Sequence, residues 1–95
     1  MFIVLLKFSS NKSQASQYME AHKDWINRGF DDGVFLLLGS LQPNLGGGFI
    51  ANDTSLVEIQ NRLNDDPFVI HNIVTAEIIE MTPAKSDPRL EFLLG

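Results

Sequence analysis

Ninety-five residues make room for one domain, and an apolar content of 44% rules out a chain disordered along its length. A net charge of -5, with 12 acidic against 7 basic residues and no basic cluster, disfavours binding to a phosphate backbone. The absence of cysteine excludes disulfides, thiolate catalysis and Cys-ligated zinc, and it suits a reducing, cytoplasmic setting.

The chain opens on a continuous apolar run, Phe2 to Phe8, broken only by Lys7. It is far too short to span a bilayer and lacks a basic leader, so it reads as a buried strand and neither a membrane anchor nor a signal peptide is expected. Ser9 to Ser13 is a polar break, in which Asn11 and Gln14 have the spacing of a capping box. A helix is predicted from there to about Phe30. Its apolar stripe is Ala15, Tyr18, Met19, Trp25 and Ile26, and His22 sits in it. Gly29 and Gly33 bracket its end.

Val34 to Gly39 is a second apolar run and a predicted strand. Ser40 to Gly48, with Pro43, Asn44 and three consecutive glycines, reads as a hairpin loop. Phe49 to Ala51 is a short third strand. Asp53, Thr54 or Ser55 can cap a second helix, with Glu58 completing a box from Ser55. Leu56, Ile59 and Leu63 are its buried stripe, and Asp65-Asp66-Pro67 ends it. Asn72 to Met81 is the fourth strand. Residues 1-83 make the core of a single 1-95 domain, and 84-95 form a tail with an apolar end from Leu90 to Leu94.

The order strand, helix, strand, strand, helix, strand predicts an α+β fold. It is a split βαβ arrangement with a four-stranded antiparallel sheet and both helices on one face. The first two strands are apolar on both sides, so the uncovered face needs a partner. A second copy packed sheet to sheet supplies one, and the C-terminal tail could contribute cover.

The segment Ala21-His22-Lys23-Asp24-Trp25-Ile26, followed by Gly33 and Leu38-Gly39, resembles the first half of YciI-like (YCII-related) proteins. Asp66-Pro67-Phe68, a strand and then Pro83 continue the resemblance, which covers most of the chain up to that proline. The family is similar to dimeric α/β-barrel proteins of ferredoxin-like βαββαβ fold, a group that includes muconolactone isomerases and cofactor-free monooxygenases. The resemblance implies a homodimer and a His–Asp catalytic pair, here His22 and Asp66. The chain departs from the family at Ser40, where a proline usually follows the strand-ending glycine, and at Asn72, where glycine is usual. Asn tolerates a left-handed backbone, so the second change can leave the turn intact.

Each candidate has a plain structural alternative. Imidazole suits proton transfer near neutral pH, and a carboxylate partner fixes its tautomer and stabilises its cation. His22 could equally be a core-edge histidine satisfied by one carbonyl. Asp66 could serve only as a turn cap, with Asp65 the solvated neighbour; it could also cap with one oxygen and hold His22 with the other. Tyr18, Trp25, Ser40 and Phe68 are expected around a small-molecule pocket, although aromatics at helical spacing are usually core. His71 reads as a surface or strand-edge residue. With His22 it lacks the HxH or HExxH spacing of a metal site. Gly46-Gly47-Gly48 lacks the Lys-Ser/Thr of a phosphate loop, and its expected role is a flexible hairpin or bulge. The expected function is acid–base chemistry without a cofactor, of isomerase, lyase or hydrolase type, on a small aromatic or enol-type compound. The alternative is a non-enzymatic ligand-binding or partner-subunit dimer.

Overall fold

The computed structural model describes all residues from Met1 to Gly95. Strands β1 (Phe2–Phe8), β2 (Phe35–Leu41), β3 (Gly46–Ala51) and β4 (Val74–Glu80) form one sheet in the order β2-β3-β1-β4. All neighbouring strands pair antiparallel. Helix α1 (Ala15–Asp31) joins β1 to β2; α2 (Leu56–Leu63) and α3 (Pro67–Ile70) join β3 to β4. This is the ferredoxin-like βαββαβ order. No helix is long and apolar enough to cross a membrane.

Side chains alternate across a strand, so one face of β1 carries Phe2, Val4 and Leu6, all buried beneath the helices. They pack with Phe35, Phe49 and Ala51 from the sheet, and with Trp25, Ile59, Leu63 and Phe68 from the helices. Each large side chain buried this way contributes about 1.5–3 kcal/mol. The opposite face is open. A row crosses it at one register, Leu37, Ile50, Ile3 and Ile79, and Leu37 is 60% exposed.

Local chemistry moves several boundaries from their predicted places. No side chain caps α1; a 3-10 turn, Lys12–Gln14, leads into it, and Asn11 Nδ2 donates to the His71 carbonyl at 2.9 Å. The glycine triplet is strand, with Gly46, Gly47 and Gly48 paired to both β1 and β2. The loop therefore shrinks to residues 42–45, with a cis Gln42–Pro43 bond and Asn44 at φ 53°. Ser55 caps α2 by accepting from the Glu58 N–H at 3.1 Å, while Asp53 adopts φ 55° outside the helix. Asp66-Pro67 starts a helix as well as following one: Asp66 caps α3, with Pro67 in its first turn. Asn72 takes the left-handed conformation that its place in the turn requires, φ 55°.

The tail forms 3-10 turns over Pro88–Leu94, capped by Asp87, which accepts from the Arg89 backbone N–H. The Arg89 side chain and backbone hydrogen bonds hold the Asp87 carboxyl below its ordinary 3.8. The tail curls toward one end of the open face and, with Leu36, Leu37 and Ile50, encloses a cavity of about 840 Å³. Ile3 and Ile50, in the middle of the row, are half-buried, and Leu37 and Ile79 at its two ends are exposed.

Candidate active site

On α1, Met19, His22, Lys23 and Ile26 follow i, i+3, i+4, i+7 spacing and face the same region of the molecule. Beneath that stripe the sheet is thin. One row on its helix side reads Ser40, Gly47, Leu6 and Ala76, so three of its four side chains are small or missing. The gap between helix and sheet is a cavity of about 480 Å³. Leu6, Leu38 and Phe68 give it apolar walls; His22, Lys23 and Ser40 are its polar side chains.

His22 Nδ1 lies 2.7 Å from Asp66 Oδ1. The Asp66 side chain is wholly buried, and that of His22 is 12% exposed. The local backbone explains the meeting. Asp66 is extended (φ -73°, ψ 120°) as the cap of α3, and its Oδ1 also accepts from the Phe68 N–H at 3.0 Å. That turn carries the Phe68 ring beneath the imidazole, 3.9 Å away between centroids and 3° from parallel. A carboxylate can only accept, so Nδ1 carries a proton, and in the neutral imidazole Nε2 holds the free lone pair. Nε2 makes no hydrogen bond within the chain.

One carboxylate oxygen therefore performs both tasks considered for Asp66, capping and holding His22. The other, Oδ2, is buried without a hydrogen-bond partner. A buried polar atom left unsatisfied costs about 1–3 kcal/mol.

Of the six residues expected at the site, His22, Ser40 and Phe68 line the cavity, and Asp66 stands behind His22. Tyr18 and Trp25 do not line it. Tyr18 stacks on His71, with centroids 3.9 Å apart and planes at 14°. Trp25 is buried in the core, where its Nε1–H donates to the Arg62 carbonyl at 2.8 Å and its ring meets Phe35 and Phe49 edge-on. His71 is half-buried at the end of α3. Sequence reasoning did not place Met19, Lys23, Ile26, Leu38 or Gly47 at the site. The first three share a helical face with His22, which is a readable signal. Leu38 and Gly47 enter through strand register, which is not. No three His, Cys, Asp or Glu side chains converge in a way that could hold a metal ion.

Among solved structures, the fold is similar to 5-chloro-2-hydroxyhydroquinone dehydrochlorinase (TftG) from Burkholderia phenoliruptrix AC1100, determined in complex with 2,5-dihydroxybenzoquinone. The match has a TM-score of 0.69 and covers 85% of this chain and 93% of that one. The two chains share a fold. Sequence identity between them is 12%, so the likeness extends to the fold alone. No protein-family model matches the chain, and a search of curated proteins finds no match.

Proposed function

We propose that this chain is a small-molecule enzyme in which His22, oriented by Asp66, transfers a proton on a hydroxylated aromatic or enol-type ring bound between α1 and the sheet. The contact between His22 Nδ1 and the buried Asp66 carboxylate, at the wall of an apolar cavity, carries this reading. His22 Nε2 takes a proton from the substrate. The electron pair left behind spreads into the ring, and the Asp66 carboxylate stabilises the imidazolium. Return of the proton to a different ring atom isomerises the substrate. Departure of a leaving group with its electron pair makes the step an elimination, with the proton passing from His22 to solvent. The same base can activate a water for hydrolysis. The dehydrochlorinase of similar fold, seen with a dihydroxybenzoquinone, favours elimination on a hydroxylated ring.

We also read the chain as YciI-like, on His22 and the Asp66-Pro67-Phe68 turn, and as a homodimer joined through the open sheet face. The apolar row of Leu37, Ile50, Ile3 and Ile79, exposed at Leu37 and Ile79 and half-buried between them, supports the dimer, since apolar patches of this kind mark association surfaces.

Solvent-deuterium incorporation and chloride release test the reaction, followed by NMR and ion analysis on hydroxyhydroquinones with and without a ring chlorine. Wild type accelerates one or both processes. His22→Gln keeps the fold and loses about 10²–10⁴-fold in rate, the range of a general base. Equal rates for wild type and His22→Gln on every active compound would remove His22 from the chemistry.

A further inference from the structure

The polar side chains of the cavity divide by chemistry. His22 has its base nitrogen free, as described above. Lys23, the next residue of α1, lines the same cavity and makes no salt bridge or hydrogen bond within the chain. Ser40, on β2, lines it too, and its hydroxyl is likewise unpaired. The lining contains no Asp or Glu, although the chain carries 12 acidic residues against 7 basic ones. A wall with one ammonium, one hydroxyl and no carboxylate favours negative charge inside a protein whose overall charge opposes it. Of the other basic groups on the helical side, Arg28 lines a different cavity and does not reach this one. Lys12 lies over the Phe8 ring, 4.6 Å from its centroid, and Arg62 pairs with Asp32 at 3.0 Å.

We infer that Lys23 and Ser40 form an anion-binding subsite that selects planar rings bearing a phenolate or enolate oxygen. The inference rests on the proton-transfer reading and gives it the group that receives developing charge. When His22 removes a proton, negative charge grows on the ring oxygen, and an ammonium with a hydroxyl donor at the same cavity stabilises it in place of water. Leu6 and Phe68 are buried, whereas Lys23, Leu38 and Ser40 are exposed, so the attraction is that of a partly screened charge.

Matched probes separate the subsite from the base. The probes are 2,4-dinitrophenolate and its neutral methyl ether, 2,4-dinitroanisole, titrated against the full chain by NMR with Met19, Ile26 and Val74 as reporters. The phenolate binds wild type more tightly than the ether. Lys23→Gln weakens the phenolate by up to about fivefold, as expected for loss of one exposed charge contact, and leaves the ether unchanged. Ser40→Ala weakens the phenolate by a smaller factor, about threefold, for a single hydrogen bond. Lys85→Gln, which changes the net charge equally but lies in the tail, leaves both affinities at wild-type values. Equal affinity for the two probes, or equal losses in Lys23→Gln and Lys85→Gln, overturns the subsite and leaves the cavity and His22 standing. Failure of both probes to shift the reporters overturns the subsite and the ring-binding cavity together. No proton is transferred to or from either probe in these titrations, so failure of the His22 base would appear only in the deuterium and chloride assays.

Discussion

Asp66 offers the sharpest perturbation, because one of its oxygens holds two elements together. Asp66→Ala removes the acceptor for the Phe68 N–H and for His22 Nδ1 in one step. Loss of a helix cap costs about 1 kcal/mol, and the abandoned Nδ1–H, now only slightly exposed, costs about 1–3 kcal/mol more. The total is about 2–4 kcal/mol, a large share of the stability of a domain this small. Asp66→Asn is different. Its amide oxygen can occupy the position of Oδ1 and accept from both donors. Its NH₂ group then occupies the position of Oδ2, where there is no partner, which exchanges one unsatisfied buried atom for another. Removal of the buried charge offsets part of that exchange, so the loss is held to about 1 kcal/mol. In Asp66→Asn the rate is far more sensitive than the stability. Asn keeps the tautomer but not the charge that stabilises imidazolium, and turnover falls by about 10²-fold or more. Urea denaturation gives the stabilities, two-dimensional ¹⁵N NMR of the ring gives the His22 tautomer, and deuterium incorporation gives the rates. Equal destabilisation by Asn and Ala would show that Oδ1 does not bridge the two elements. A wild-type rate in Asp66→Asn would show that the carboxylate charge has no part in the reaction.

Two further changes test the frame around the site. Gly46 sits at φ 132°, and a Cβ there would run into the Leu6 carbonyl of the paired strand. Gly46→Ala is therefore expected to cost more than about 2 kcal/mol and to lower Tm by about 8 °C or more in a thermal melt; an unchanged melt would contradict the β1–β3 register. Leu37→Lys puts a charge at the exposed β2 end of the row and is expected to convert a dimer, near twice 10.6 kDa, to a monomer of 10.6 kDa in sedimentation, with circular dichroism unchanged. A wild-type chain that already sediments at 10.6 kDa would remove the dimer and leave the open face to the tail.

Strands β1 and β2 are readable because they are long apolar runs, whereas β3 opens on three glycines and β4 carries Thr75, Glu77 and Glu80. Phe2 to Phe8 was bounded correctly, and the need for cover on both faces followed from its composition. What went unread has specific causes. Gly46-Gly47-Gly48 carries the composition of a turn, yet each residue has a partner on both sides, and the missing side chain of Gly47 opens the cavity floor. From sequence, Asp65-Asp66-Pro67 marks the end of a helix, although proline is as well suited to a first turn. The short α3 that follows aims the Asp66 carboxylate and brings Phe68 beneath His22. The choice between Asp65 and Asp66 came from resemblance, since spacing treats neighbouring carboxylates alike. Burial separates them: Asp65 is exposed and Asp66 is fully enclosed.

The expected pocket wall failed at Tyr18 and Trp25 for a reason visible on the helix surface. At about 100° per residue, Tyr18 and Trp25 lie some 40–60° to one side of His22, whereas Met19, Ile26 and Lys23 lie about 40–100° to the other. All five are neighbours of His22 by spacing, and sequence does not say on which side the cavity opens. The large aromatic rings take the side where the chain packs most densely. Trp25 meets Phe35 and Phe49, and Tyr18 covers His71. That packing fixes the roll of α1 about its own axis. With the roll fixed, the smaller and more flexible side chains face the thin row of Ser40 and Gly47, and His22 stands at the boundary between the two sides. From there one nitrogen reaches the buried Asp66, and the ring as a whole borders the cavity. The aromatic residues thus act on the site through the orientation of α1, without touching a ligand. Trp25→Ala is accordingly read as a loss of packing that lets the helix roll and the His22–Asp66 contact lengthen, since the cavity wall itself contains no indole to remove.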